Sequence, residues 1–258
     1  EGGWIKWDNA PTAIDPCVFT NVVSKADCIT AIRCSPDSRC CVVAGNGFCG
    51  VYDFRTYQLQ CDFRGHDSWI RGLCFSPDSR YCLSVSNDKT GQVWNTTNCE
   101  TCTELTGHLS WVMDCDWSPT DNVVVTISDD GAARLWNPYL GDLVGVQERH
   151  RASLRCGRFS PSGQEVITGD IEGTIMKWSV PSCETIATVR LDSTVNCIEW
   201  SEAADAIAIA LYSGKVLLLN SSLETLRTFE GNARSHGLLT GLHDSRIFIL
   251  CELLCILS

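Results

Sequence analysis

The turn-forming tripeptides Ser35-Pro36-Asp37, Ser76-Pro77-Asp78, Ser118-Pro119-Thr120, Ser160-Pro161-Ser162 and Ser201-Glu202-Ala203 follow one another at intervals of 41, 42, 42 and 41 residues. A second landmark keeps almost the same step: Trp7, Tyr52, Trp94, Trp136 and Trp178, with Leu219 in the next slot, are spaced by 45, 42, 42, 42 and 41 residues. Two independent landmarks with one period require a chain of repeated structural units. Within a unit, short β-prone runs alternate with turn chemistry: Ile70 to Phe75, Tyr81 to Val85, Gly91 to Trp94 and Cys102 to Leu105 are separated by Ser-Pro-Asp-Ser, Asn-Asp-Lys-Thr and Asn-Thr-Thr-Asn. No stretch sustains a helical period. Each unit is therefore a four-stranded antiparallel meander, and because a lone meander cannot bury both faces, the units must pack against one another.

The order Gly-His, Ser-Pro, Ser-Asp-Asp-Gly and Leu-Trp-Asn between Gly107 and Asn137 closely resembles the WD40 repeat, which builds the blades of β-propellers. The resemblance covers almost the whole chain and implies an all-β fold. Five complete blades are expected over 29–65, 66–107, 108–149, 150–191 and 192–230, with partial blades at 1–28 and 231–258. Two strands of the first partial blade are expected near Gly3 to Trp7 and Cys17 to Val23, and two of the last near Leu238 to Leu242 and Arg246 to Leu250. The set is either a six-bladed composite or a fragment of a seven-bladed or larger array. The resemblance also implies buried tetrads in which a carboxylate, an imidazole, a hydroxyl and an indole are linked, at His66, Ser84, Asp88 and Trp94 and again at His108, Thr126, Asp130 and Trp136. The fourth repeat departs from that pattern with His150, Thr168, Glu172 and Trp178, and the first has Asn46 where the acid belongs, so both blades are expected to be tied less tightly. The recurrence of His66, His108 and His150 at 42-residue intervals favours structural over catalytic or metal-binding histidines.

Motifs for chemistry are missing: there is no nucleophile elbow, phosphate-binding Gly-Lys-Ser loop, HExxH helix or paired CxxC. Neither enzyme activity nor a cofactor or metal is expected. The net charge of -11 disfavours nucleic acid and anionic lipid and favours a basic partner. The longest nearly apolar run, Ile247 to Leu257, is interrupted by Glu252 and too short to span a bilayer, and no secretory signal opens the chain, which reads as a cytoplasmic protein and as a piece of a longer one. Cys34, Cys74, Cys115, Cys156 and Cys197 each precede the serine that opens a turn, where a small buried side chain is needed. The 17 cysteines are accordingly expected to be reduced thiols, and the lone Cys99-Glu100-Thr101-Cys102 is a weak metal or redox candidate. Asn95-Thr96-Thr97 and Asn220-Ser221-Ser222, which match glycosylation acceptors, read as strand-connecting turns.

The expected function is that of a rigid protein-binding platform. In WD-repeat proteins, the residues flanking the first apolar residue of the inner strand and the residue before the tetrad acid face the loop end of the ring. Here these are Trp69 and Arg71, Trp111 and Met113, Ser153 and Arg155, with Asn87 and Asp129 from the loops. Two tryptophans, an arginine and a methionine on one face have the composition of a binding hot spot. The phrases Arg64-Gly65-His66-Asp67-Ser68-Trp69 and Gly107-His108-Leu109-Ser110-Trp111 are also similar to the WD-repeat region of the apoptotic protease-activating factors and related nucleotide-driven sensor proteins. That likeness covers two or three repeats and implies lysine-rich cytochrome c as partner, met by an acidic loop face through Trp69, Trp111, Asp129 and Asp130. Two alternatives stand beside it: a generic assembly scaffold, and a substrate receptor of a cullin-type ubiquitin ligase, for which Tyr52-Asp53-Phe54-Arg55 resembles the adaptor-binding motif.

Overall fold

The computed structural model describes residues 29–201, 206–230, 238–243 and 246–250, which are all-β; no helix occurs among them. Five four-stranded antiparallel sheets follow in chain order. The first is β1 (Ala31–Cys34), β2 (Cys40–Ala44), β3 (Cys49–Asp53) and β4 (Leu59–Phe63), and the second is β5 (Ile70–Phe75), β6 (Tyr81–Ser86), β7 (Gly91–Asn95) and β8 (Thr101–Leu105). The third comprises β9 (Val112–Trp117), β10 (Val124–Ser128), β11 (Ala133–Trp136) and β12 (Leu143–Gln147). The fourth holds β13 (Leu154–Phe159), β14 (Glu165–Asp170), β15 (Thr174–Ser179) and β16 (Thr185–Arg190). β17 (Val195–Ser201), β18 (Ala206–Leu211), β19 (Lys215–Asn220) and β20 (Thr225–Glu230) form the fifth, and β21 (Leu238–His243) pairs with β22 (Arg246–Leu250) in a two-stranded sheet. The last two match the expected terminal strands. The strands expected near Gly3 to Trp7 and Cys17 to Val23 lie outside the described residues.

The first strands β1, β5, β9, β13, β17 and β21 pack side by side in that order, as the inner strands of successive propeller blades do. The four largest apolar clusters among the described residues straddle neighbouring sheets. Val42, Val51 and Ala44 of the first sheet pack with Ile70, Leu73 and Trp94 of the second, and Ile167 and Ile175 of the fourth pack with Ile198, Ile207 and Leu219 of the fifth. Each fully buried branched side chain contributes about 1.5–3 kcal/mol. Blade-on-blade packing is thus the dominant source of cohesion, and the meanders stand because they are stacked.

The repeated turn residues close the blades. Ser35, Ser76 and Ser160 accept hydrogen bonds at their Oγ atoms from the backbone N–H groups of Cys40, Tyr81 and Glu165 at 3.0–3.1 Å, which explains the recurring Ser-Pro. In the turn after the third strand, at the same end of the meander, Asp53, Asn95, Asn137 and Asn220 accept from the backbone two residues on, at 2.7–3.0 Å. Asn95 and Asn220 therefore serve the strand-connecting turns. Gly131, Gly173 and Gly214 take left-handed conformations in the loop between the second and third strands, and Lys89 occupies the same slot with φ 75°.

Four of the five expected turn cysteines, Cys74, Cys115, Cys156 and Cys197, are buried, whereas Cys34 is exposed, which corrects the expectation there. The expectation of uniformly reduced thiols is corrected at one place. Cys61 on β4 and Cys99 in the β7–β8 turn form a disulfide with a Cα–Cα distance of 6.1 Å, joining the first two blades. Cys99 thus bonds across blades and not with Cys102, which remains a free, exposed thiol. Among the described residues, no group of three or more His, Cys, Asp or Glu converges to hold a metal. No helix among them is long and apolar enough to cross a membrane.

Candidate functional site

In the second blade His66 is buried, with Nδ1 2.7 Å from Asp88 Oδ2 and Nε2 2.8 Å from Ser84 Oγ, and the Trp94 indole N–H donates to the same hydroxyl at 2.7 Å. In the third blade the corresponding distances are 3.0 Å for His108 to Asp130, 2.7 Å for His108 to Thr126 and 2.8 Å for the indole of Trp136 to Thr126. Burial alone would raise the Asp88 carboxyl, but hydrogen bonds from His66 and Thr90 outweigh it and hold the pKa at about 2. Asp130 is held well below the usual carboxylate range against the same burial by His108 and by the N–H groups of Leu109 and Ala132. Burial lowers the pKa of His108, partly offset by Asp130. Arg134, which the sequence reading did not single out, donates to Asp130 Oδ2 at 2.9 Å and further binds this acid into the blade.

The fourth blade corrects the expected pattern. Its imidazole partner is Asp170, 2.9 Å from His150 Nδ1, while Glu172 lies on the surface and pairs with Arg190 at 3.1 Å. Asp170 occupies the slot of Ser86 and Ser128, whose hydroxyls accept from the N–H groups of Asp88 and Asp130. It performs both roles: Oδ1 accepts from the N–H groups of Glu172 and Thr174, and Oδ2 reaches His150. The carboxylate is therefore retained and this blade keeps its imidazole link. It lacks the indole link: among the described residues the buried Trp178 Nε1–H has no hydrogen-bond partner. In the first blade Asn46 is exposed and acts through its backbone, bridging to Trp69 of the next blade.

A β-bulge stands at one position in four successive inner strands. Ile70 pairs with Ser86 and Gly72 with Val85, which leaves Arg71 without a cross-strand partner; Met113, Arg155 and Asn196 are skipped in the same way. A bulge turns its extra side chain out of the sheet face. The residues before these bulges, Ile70, Val112, Leu154 and Val195, are fully buried and anchor the strands. One residue further out, the backbone carbonyls of Trp69, Trp111, Ser153 and Thr194 accept hydrogen bonds from the N–H groups of Asn87, Asp129, Ile171 and Tyr212 at 2.9–3.0 Å. Each of these four blades thus presents a fixed trio at its loop end: an outer residue, a bulge residue and a loop residue.

Trp69 is 38 % and Trp111 47 % exposed, and Arg71, between them in the pattern, is held from two sides. Its Nε donates to Asn87 Oδ1 at 2.8 Å and its guanidinium carbon lies 5.8 Å from the centre of the Trp111 ring. Met113 is half-buried and Arg155 exposed, and Ser153 Oγ donates to the Asp129 carbonyl at 3.1 Å. Leu109, Ile171 and Tyr212 add further exposed apolar surface at this end. Thr194, Asn196, Ile171 and Tyr212 were missed in the sequence, although they stand 41 or 42 residues beyond Ser153, Arg155, Asp129 and Ile171 and the period alone could have found them. The motif Tyr52 to Arg55 lies elsewhere, across the end of β3 and the turn after it, with Tyr52 buried, Arg55 exposed and Asp53 Oδ1 accepting from the Arg55 and Thr56 N–H groups.

The family model described as "WD domain, G-beta repeat" matches residues 57–95, 99–137 and 141–179. The chain carries WD40 repeats. Each matched WD40 segment begins at the outer strand of one sheet and ends with the third strand of the next, so the covalent repeat is staggered against the blade and ties neighbours together. The chain is 34% identical over 71 residues to "WD repeat-containing protein 1" of Mus musculus, which covers 26% of this chain and 12% of that protein. It is 58% identical over 31 residues to "Lissencephaly-1 homolog 1" of Paramecium tetraurelia, covering 12% and 8%, and 53% identical over 38 residues to "Nuclear distribution protein PAC1" of Tuber melanosporum, covering 15% and 8%. The chain matches only a small fraction of these relatives' length.

Proposed function

We propose that this chain is a non-catalytic WD40 platform that binds a protein partner through the loop end of its blades, with Trp69 and Trp111 as anchors. The observation that carries the reading is the exposure of both indoles on neighbouring inner strands whose backbone is pinned by Asn87 and Asp129. Large aromatic side chains held rigidly at an exposed site lose little conformational entropy on binding. The serine–histidine–aspartate arrangement in the second blade supports a structural rather than a chemical role, since Ser84 is fully buried and its hydroxyl already accepts from the Trp94 indole. Affinity capture with the full chain, compared with Trp69→Ala/Trp111→Ala and with Leu140→Ser on an exposed loop elsewhere, tests the reading. Partners are expected to be lost from the tryptophan variant alone; equal capture by all three would refute it.

The finer reading, a cytochrome c-sensing face in a cytoplasmic apoptotic regulator, finds less support. Asp130 is engaged with His108 and Arg134 inside the blade, which leaves Asp129 as the accessible acid beside Trp111. Titration with cytochrome c decides it: saturable binding at physiological salt that disappears in the tryptophan variant would restore this reading.

A further inference from the structure

The charge of -11 is unevenly distributed. At the loop end Arg71, Lys89, Arg149, Arg151 and Arg155 are exposed and none has an acidic partner among the described residues. The acids at that end are largely engaged: Glu172 with Arg190, Asp192 with Lys215, and Asp88, Asp130 and Asp170 with the blade histidines. Asp67, Asp129 and Glu230, the last opposite Lys215 at the end of β20, are the carboxylates there without an ion-pair partner among the described residues. Arg71 is prepared for a ligand, because Asn87 accepts from its Nε and its guanidinium carbon lies over the Trp111 ring at 5.8 Å, while its two terminal nitrogens make no hydrogen bond among the described residues. A guanidinium held in this way offers a two-pronged donor to a carboxylate.

Building on the loop-end reading above, we infer that the partner's docking element is an acidic segment with an apolar anchor, its Asp or Glu side chains meeting Arg71 and Arg155 and its anchor resting on Trp111. The two arginines occupy equivalent bulges on β5 and β13, on either side of Met113 on β9, so a segment lying across the three inner strands meets cation, thioether and cation in turn. The acidic remainder of the molecule repels such a segment, which confines it to this end.

Fluorescence anisotropy with three labelled peptides that share their leucine and phenylalanine residues but carry glutamate, lysine or serine at the polar positions tests the inference, using the full chain at low and physiological salt. The glutamate peptide is expected to bind most tightly and to weaken with salt. Arg71→Gln/Arg155→Gln should lower its affinity at least about tenfold, while Arg55→Gln, on an exposed turn elsewhere, should leave it unchanged. Tighter binding of the lysine peptide, insensitivity of the glutamate peptide to the double arginine variant, absence of any binding by a folded chain, or preference for a single-stranded oligonucleotide would each overturn the inference. Those results leave the docking reading standing so long as capture still depends on Trp69 and Trp111; loss of that dependence is the separate failure of the platform itself.

Discussion

Asp170 does with one side chain what Ser86 with Asp88, and Ser128 with Asp130, do with two. Asp170→Ser should therefore leave His150 Nδ1 without its acceptor and cost about 1–3 kcal/mol, the usual penalty for a buried polar group left unpaired. Adding Glu172→Asp rebuilds the two-residue arrangement of the preceding blades and should recover most of that loss, which urea unfolding of the single and double variants will show. The tryptophans make a second comparison. Trp94→Phe and Trp136→Phe remove a hydrogen bond to Ser84 or Thr126, whereas Trp178→Phe removes an indole N–H that has no partner among the described residues. The first two should cost about 0.5–1.5 kcal/mol more than the third, beyond the packing loss common to all, as read from unfolding midpoints.

At the scale of strands, the bulge interrupts a buried inner strand at its loop end. Anchors such as Ile70 and Leu154 keep the strand in the core, while the next residues, Arg71 and Arg155, lack a cross-strand partner and are exposed. The Cys61–Cys99 disulfide ties the fourth strand of one blade to the β7–β8 turn of the next and closes a loop of 38 residues in sequence separation. Cys99→Ser is expected to cost about 2–4 kcal/mol by releasing that constraint on the unfolded chain. A thermal melt with and without reductant should show the same loss in the parent chain and no further effect in the variant.

Across the whole molecule, three successive blades meet at Arg158 on β13, whose guanidinium lies 2.7 Å from Asp114 on β9 and 3.2 Å from Glu199 on β17. Asp116 is beside them, its Oδ2 accepting from the Phe159 N–H at 2.8 Å. Burial raises the Asp116 carboxyl to about 6, against the lowering effects of Arg158 and that N–H. The native state consequently keeps a proton that the unfolded chain has already released, and between pH about 4 and 6 this group makes stability fall as the pH rises. Asp116→Asn should flatten that part of the profile and leave the chain at least as stable at pH 7.5 as the parent, measured by urea unfolding at several pH values. A variant with the slope unchanged would show that the proton is held elsewhere in the cluster.

The 42-residue period, the four-strand meander and the His–hydroxyl–indole spacing were legible in the sequence because each blade repeats the same local chemistry, and a turn serine or a capping asparagine acts on atoms only a few residues away. The resemblance to WD repeats, carried along the chain by the period, implied which residues stand at the loop end, Trp69 and Trp111 among them. What the tertiary structure alone decided depends on atoms brought together from different repeats or from shifted slots. Asp170 replaces Glu172 because the loop, not the column, sets which carboxylate reaches His150. Cys99 finds Cys61 across a blade boundary. The loop end carries exposed cations within an acidic chain because ion pairing spends most of its carboxylates, and pairing is a matter of distance that a one-dimensional charge count cannot contain.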